Sequence, residues 1–174
     1  MVRRSDEARF MPGVWVFPGG TLDAADVGDE EAALRACAVR ELREEAGIDL
    51  GEGTELLAWS RWITPEMVPV RFDTRFYVAL APAHSPPRPD RAEVTDAVWM
   101  APRDALERHR GGKLTLVFPT IKHLESLLPY TSAEQVLAAA ADRVVEPVLP
   151  RLVGEGDDRR VVLPGEPGYE RRDT

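Results

Sequence analysis

The run Arg40-Glu41-Leu42-Arg43-Glu44-Glu45-Ala46-Gly47-Ile48 constrains this chain more than any other stretch. It closes a helix. Asp29 is placed to cap the start, Glu30 and Glu31 suit the positive end of a helix, and Gly47 stands where a left-handed residue ends one. The expected helix spans 30–46, with Leu34, Cys37, Ala38 and Leu42 as its apolar stripe at steps of three and four. On that helix Glu41, Glu44 and Glu45 stand at i, i+3 and i+4, so the three carboxylates share one face. Carboxylates so placed repel one another unless a cation sits among them. Hard divalent ions such as Mg²⁺ take oxygen ligands of this kind. Arg40 precedes Glu44 by four residues and can hold it in place.

In a protein that is 30% charged, a Glu/Arg face on an arbitrary helix is ordinarily a solvated surface. The upstream sequence argues otherwise. Residues 14–17, Val-Trp-Val-Phe, form a short β-prone run, closed by Pro18-Gly19-Gly20. Glycines there let the backbone come close to a ligand or a metal. Further on, 56–63 and 71–80 are expected strands; in the second, Phe72, Phe76, Val78 and Leu80 alternate with polar side chains and Tyr77. A Pro-rich loop follows at 82–92, then a strand candidate at 94–100. Pro102 opens a helix to about His109, residues 120–128 form another, and Ser132 with Gln135 makes a capping box for a helix through Asp142. Strands and helices alternate, so the class is α/β or α+β. The tail beyond Asp142 has too many prolines for a helix, yet keeps apolar residues that can pack on the domain or on a partner.

Size and charge narrow the functions. At roughly 150 residues per domain, 174 residues make one domain with an extension. Twenty-two basic against thirty acidic residues leave a net charge of −8, which argues against nucleic acid or an anionic membrane as partner. The lone Cys37 excludes an intrachain disulfide and fits a reducing, cytoplasmic setting. Its place on the apolar stripe reads as packing rather than nucleophilic chemistry.

The pattern Gly20 … Arg40-Glu41-x-x-Glu44-Glu45-x-Gly47-Ile48 resembles the signature box of the Nudix hydrolases. Its second half is intact. In the first half Asp26 stands where the family carries a Glu, and the stretch to Arg40 is about six residues longer than the family pattern. Arg4-Ser5-x3-Arg9-x3-Gly13-x3-Phe17-Pro18-Gly19-Gly20 is similar to the motif before the box in coenzyme A pyrophosphatases of that family. Trp62-Ile63-Thr64-Pro65 and Arg71-Phe72-Asp73-Thr74 resemble the peroxisomal coenzyme A diphosphatase branch.

The resemblance implies a mixed β-sheet sandwiched between helices, with the first strand mostly missing and ending near Arg3 and Arg4. It implies a hydrolase domain over 1–130 and a tail over 131–174 packed on the same domain or a partner. The implied activity is metal-dependent hydrolysis of a nucleoside diphosphate-linked compound, with coenzyme A or acyl-coenzyme A as substrate. ADP-ribose is the alternative, supported by Pro65 at 17 residues past Ile48; a catalytically silent nucleotide-binding module is another. Glu41, Glu44 and Glu45, with the Gly19 carbonyl, are the expected ligands of Mg²⁺ or Mn²⁺. Glu41 or Glu93 is the expected general base. Arg4, Arg9, Arg71 and Arg75 are candidates for substrate phosphates, and Trp62 and Phe72 for stacking on adenine, although core packing is the commoner fate of such rings. His84, His109 and His123 show no ligand spacing and receive no role. The tail from Val144 to Tyr169 is a candidate cover for a homodimer partner or for the edge left by the short first strand.

Overall fold

A computed structural model describes residues 1–154 and 156–169. Strand β1 (Val2–Arg4) is the middle strand of a small antiparallel sheet, between β2 (Trp15–Val16) and β5 (Val94–Ala97). It ends at Arg4, as expected. Helix α1 (Glu30–Ala46) has the expected caps: Asp29 accepts from the Ala32 N–H, and Gly47 is left-handed at φ 63°. Strand β3 (Leu57–Ile63) pairs antiparallel with β4 (Asp73–Val78). Helices α2 (Pro102–Arg110), α3 (Phe118–Leu127) and α4 (Ala133–Ala141) follow.

The two faces of β4 explain the layering. Arg75 and Tyr77 face α1, where they meet Glu30 and Glu31, while Phe76 faces α3 and lies 4.0 Å from the His123 ring. A mixed sheet therefore lies between helices. One core cluster joins Val2, Val94, Leu56, Ile48 and Ala46, tying the end of α1 to β1 and β5. A second joins Ala105, Leu106, Leu114, Leu116 and Leu124 beneath α2 and α3.

Three local expectations are corrected. The 94–100 strand stops at Ala97: the Val98 N–H makes the last bond to the β1 chain, at the Met1 carbonyl, and Trp99 turns out to give its indole N–H to the Ser85 carbonyl. At α4, Ser132 accepts from the Gln135 N–H, but Gln135 reaches back to the N–H of Thr131 instead of Ser132. The tail does not cover a β1 edge, since β1 is paired on both sides. Its strand β6 (Pro147–Val148) instead adds parallel to β3, and β7 (Arg151–Val153) and β8 (Arg160–Val162) close a separate hairpin. No helix among the described residues is long and apolar enough to cross a membrane.

Candidate active site

The site is assembled by the end of α1 and by the β1–β5 pairing. Ala46 and Ile48 anchor the helix in the core, which leaves the preceding Glu45 only 4% exposed. The chain leaving β2 then passes over this helix, and the Gly19 N–H donates to the Glu45 carboxylate at 2.9 Å. Gly20 lies against Glu41: a Cβ there would run into the Glu41 carboxylate. The turn can thus lie on the acidic helix face because Gly20 has no side chain where it meets Glu41.

Burial pushes the Glu45 carboxyl up to about 7, against the Gly19 hydrogen bond, which favours the charged form; Glu41 and Glu93 raise it further and Arg4 lowers it. Arg40 organises the rest of the face. It forms a bidentate pair with the buried Asp26 carboxylate, at 3.1 and 2.9 Å, and its third nitrogen donates to Glu41 at 2.8 Å and Glu44 at 3.0 Å. These bonds hold Asp26 below the usual carboxylate range. Asp26, in the lengthened loop, therefore secures the box arginine.

Arg4 and Glu93 come together because Arg4 pairs with Val94 across β1 and β5, and the Ser5 N–H donates to the Glu93 carbonyl at 2.9 Å. Arg4, Ser5, Glu7, Ala8, Ala92 and Glu93 line a cleft of about 330 Å³. Asp90 accepts from the N–H groups of Ala92, Glu93 and Val94, fixing the Glu93 loop. Arg4, Glu93 and Glu45 thus form one electrostatic neighbourhood.

Other candidates stand elsewhere. Arg9 and Arg71 are exposed, Arg71 donating to the Thr64 carbonyl at 3.2 Å. Arg75 is paired with Asp73 at 2.6 Å and with Glu30 at 3.6 Å. The Trp62 ring is half-buried and packs against Phe118 and His123, at 6.2 and 5.3 Å. Phe72 meets Phe10 instead, at 6.3 Å. Cys37 is buried, with burial raising its thiol pKa.

Sequence reasoning missed His123. It is buried among Phe17, Trp62 and Phe76, and bonds to Ser60 Oγ at 2.5 Å and to the Pro119 carbonyl at 2.6 Å. Sixty-three residues separate His123 from Ser60, and no spacing rule links them.

Glu41, Glu44 and Glu45 offer hard oxygen donors on one helix face, with Gly20 close against Glu41, and this set suits a divalent cation. Among the described residues no three acidic, imidazole or thiol side chains stand as a closed metal cluster. Glu41 and Glu44 lean on Arg40 and Glu45 on Gly19, so joint ligation requires Glu41 and Glu44 to turn away from the guanidinium.

The NUDIX domain profile matches residues 1–117. A Caenorhabditis elegans protein named as nudix hydrolase 7 is 29% identical over 73% of this chain and 54% of its own length. The Gallus gallus acyl-coenzyme A diphosphatase NUDT19 is 23% identical over 97% of this chain and 71% of its own. The chain therefore spans between about half and seven tenths of these relatives. A crystal structure of a NUDIX hydrolase from Alicyclobacillus acidocaldarius has a TM-score of 0.69 at 30% identity, covering 84% of this chain and 88% of that one. The profile spans well over half of the residues and the solved fold agrees with it: the chain belongs to the Nudix family of hydrolases.

Proposed function

We propose that this chain is a divalent-metal-dependent pyrophosphohydrolase of nucleoside diphosphate-linked compounds, acting on coenzyme A or its acyl thioesters. The observation that carries the reading is the Gly19 N–H on the buried Glu45 carboxylate, which seats the glycine turn on an acidic helix face. The resemblance of Arg4 to Gly20 to the coenzyme A motif and the names of the vertebrate relatives favour this substrate.

Glu41, Glu44 and Glu45, with the Gly19 carbonyl, would hold Mg²⁺ or Mn²⁺. Such an ion neutralises pyrophosphate oxygens and lowers the pKa of water. Arg4, Arg9, Arg71 and Arg75 would bind and orient the phosphates, and Trp62 would stack on the adenine. Glu93, from the cleft it shares with Arg4, or Glu41 would accept the proton of the attacking water. Water adds at one phosphorus, the bridging P–O bond breaks, and the bridging oxygen leaves with the other phosphate. Coenzyme A would yield 3′,5′-ADP and phosphopantetheine. We assign 1–130 to the hydrolase domain and 131–174 to an extension, supported by the profile match and by β6 on β3. A cytoplasmic setting and a homodimer complete the reading.

The test is product analysis with Mg²⁺ or Mn²⁺ over coenzyme A, acyl-coenzyme A, ADP-ribose, NADH, diadenosine polyphosphates and nucleoside triphosphates. Release of 3′,5′-ADP from coenzyme A or its thioesters supports the proposal. Cleavage of ADP-ribose alone overturns the substrate and keeps the chemistry. No cleavage by folded protein overturns the enzymatic reading.

A further inference from the structure

Two loops that are distant in sequence meet at Phe10 and Phe72, whose rings stand 6.3 Å apart and 56° from parallel. They are 50% and 41% exposed, although each is in contact with the other. The same loops expose Met11, Met67 and Val70. Apolar side chains grouped on a surface mark a binding site more often than chance exposure does. Met11 holds a positive φ of 51°, a strained backbone for a non-glycine residue, and strain of this kind collects where ligands bind.

The loop that carries Phe10 is tied to the cleft through Arg4. Arg4, which lines the cleft with Glu93, donates Nε–H to the Phe10 carbonyl at 3.0 Å. The hairpin holding Phe72 is closed by Thr64, whose N–H donates to the Phe72 carbonyl and whose hydroxyl accepts from the Phe72 N–H, at 2.9 and 3.0 Å. An apolar surface is therefore held beside the place where a diphosphate would lie.

Its chemistry selects the occupant. Rings tilted by 56° do not form the parallel jaw that grips a flat nucleobase. The five side chains carry no hydrogen-bonding head to read a base edge. Unbranched methionines adapt to flexible aliphatic chains of varied shape. We infer that Phe10 and Phe72, with Met11, Met67 and Val70, form the surface that receives the acyl chain of a thioester substrate. This rests on the substrate reading above and adds the subsite that would make the chain prefer acylated over free coenzyme A.

The experiment is steady-state kinetics on coenzyme A, acetyl-, hexanoyl- and dodecanoyl-coenzyme A below their aggregation concentrations. Wild type, Phe10→Ser, Phe72→Ser, the double variant and Val144→Ser are compared, with 3′,5′-ADP as the product followed. Val144 is exposed apolar surface on the tail and controls for a general loss of greasiness. The inference predicts that wild-type KM falls with chain length, on the order of twofold per methylene, less than full burial of each would give. That dependence should flatten in the Phe10 and Phe72 variants and persist in Val144→Ser. Because every comparison is a slope across substrates on one protein sample, partial misfolding of a variant lowers all rates together and leaves the slope readable. Cleavage with no chain-length dependence in wild type overturns the subsite and leaves the pyrophosphatase reading standing. A dependence that survives in the double variant also overturns it. Chain-length-independent loss of every substrate in the variants, with wild-type slope absent, would assign the rings to the nucleoside part instead. Cleavage of none of the series overturns the inference together with the reading beneath it.

Discussion

The Gly19 N–H lies 2.9 Å from a carboxylate oxygen of Glu45, and that side chain is buried at the end of the acidic helix. A carboxylate in such a place is desolvated, and its one backbone donor only partly offsets the cost. Burying it is expensive for stability, and on the proposed reading its charge serves to bind a cation. Glu45→Gln keeps a carbonyl to accept from Gly19 and removes the charge. It should leave Tm unchanged or higher while lowering kcat on the order of a hundredfold, a magnitude typical of lost electrostatic stabilisation. Parallel calorimetry and kinetics check this; a fall in both together would make Glu45 a structural residue.

Asp26 touches Arg40 and acts on the site through it. Asp26→Asn weakens a bidentate pair and frees the guanidinium to draw Glu41 and Glu44 further from a metal. A loss of about 10- to 100-fold in activity or metal affinity is expected, as for other residues that orient ligands. Titration of activity against Mg²⁺ should show a raised requirement, and Asp26→Glu should recover part of it.

Gly47 ends α1 at φ 63°, and a Cβ there would stand 3.1 Å from Arg88 Cβ, in the loop whose N–H bonds the Ala46 carbonyl at 2.7 Å. Gly47→Ala adds left-handed strain and crowding, together about 1–2 kcal/mol. For a chain of this size that is a Tm lower by about 3–6 °C, measurable by thermal denaturation.

Stability should fall as pH drops below the ordinary histidine range, through His123. The Pro119 carbonyl can only accept, so Nδ1 carries the proton and Nε2 accepts from the Ser60 hydroxyl. Burial is the main cause that lowers its pKa; Arg143 adds to it, against the Pro119 hydrogen bond. The unfolded chain therefore takes up a proton near pH 6.5 that the folded chain refuses until lower pH, and stability is lost through that window. Urea midpoints at pH 7.5 and 5.5 should diverge more for wild type than for His123→Gln. Equal divergence would remove His123 from the pH response.

Local chemistry made part of this fold readable. The caps Asp29 and Gly47 and the three-and-four spacing of the apolar stripe define α1, because a helix is specified by neighbours within one turn. The shared face of Glu41, Glu44 and Glu45 follows from the same geometry. What was not readable depends on contacts distant in sequence. The parallel pairing of Pro147 and Val148 with β3 is two residues long and leaves no periodic trace. The Ser60–His123 bond, the meeting of Phe10 with Phe72, the packing of Trp62 on His123 and the pairing of Arg75 with Asp73 all arise from how elements pack. A Trp or an Arg in a strand has the same local signature whether it faces a substrate or a neighbour.

The measurement that tests the central claim most directly compares wild type with Glu44→Gln on the best cleaved diphosphate substrate, with and without Mg²⁺, following both halves of the product. Glu44 is partly exposed and touches Arg40, so its amide variant should fold normally. The account predicts Mg²⁺-dependent cleavage at the pyrophosphate, reduced on the order of a hundredfold in Glu44→Gln. Cleavage that persists at the wild-type rate in Glu44→Gln would contradict the assignment of the chemistry to the acidic face of α1.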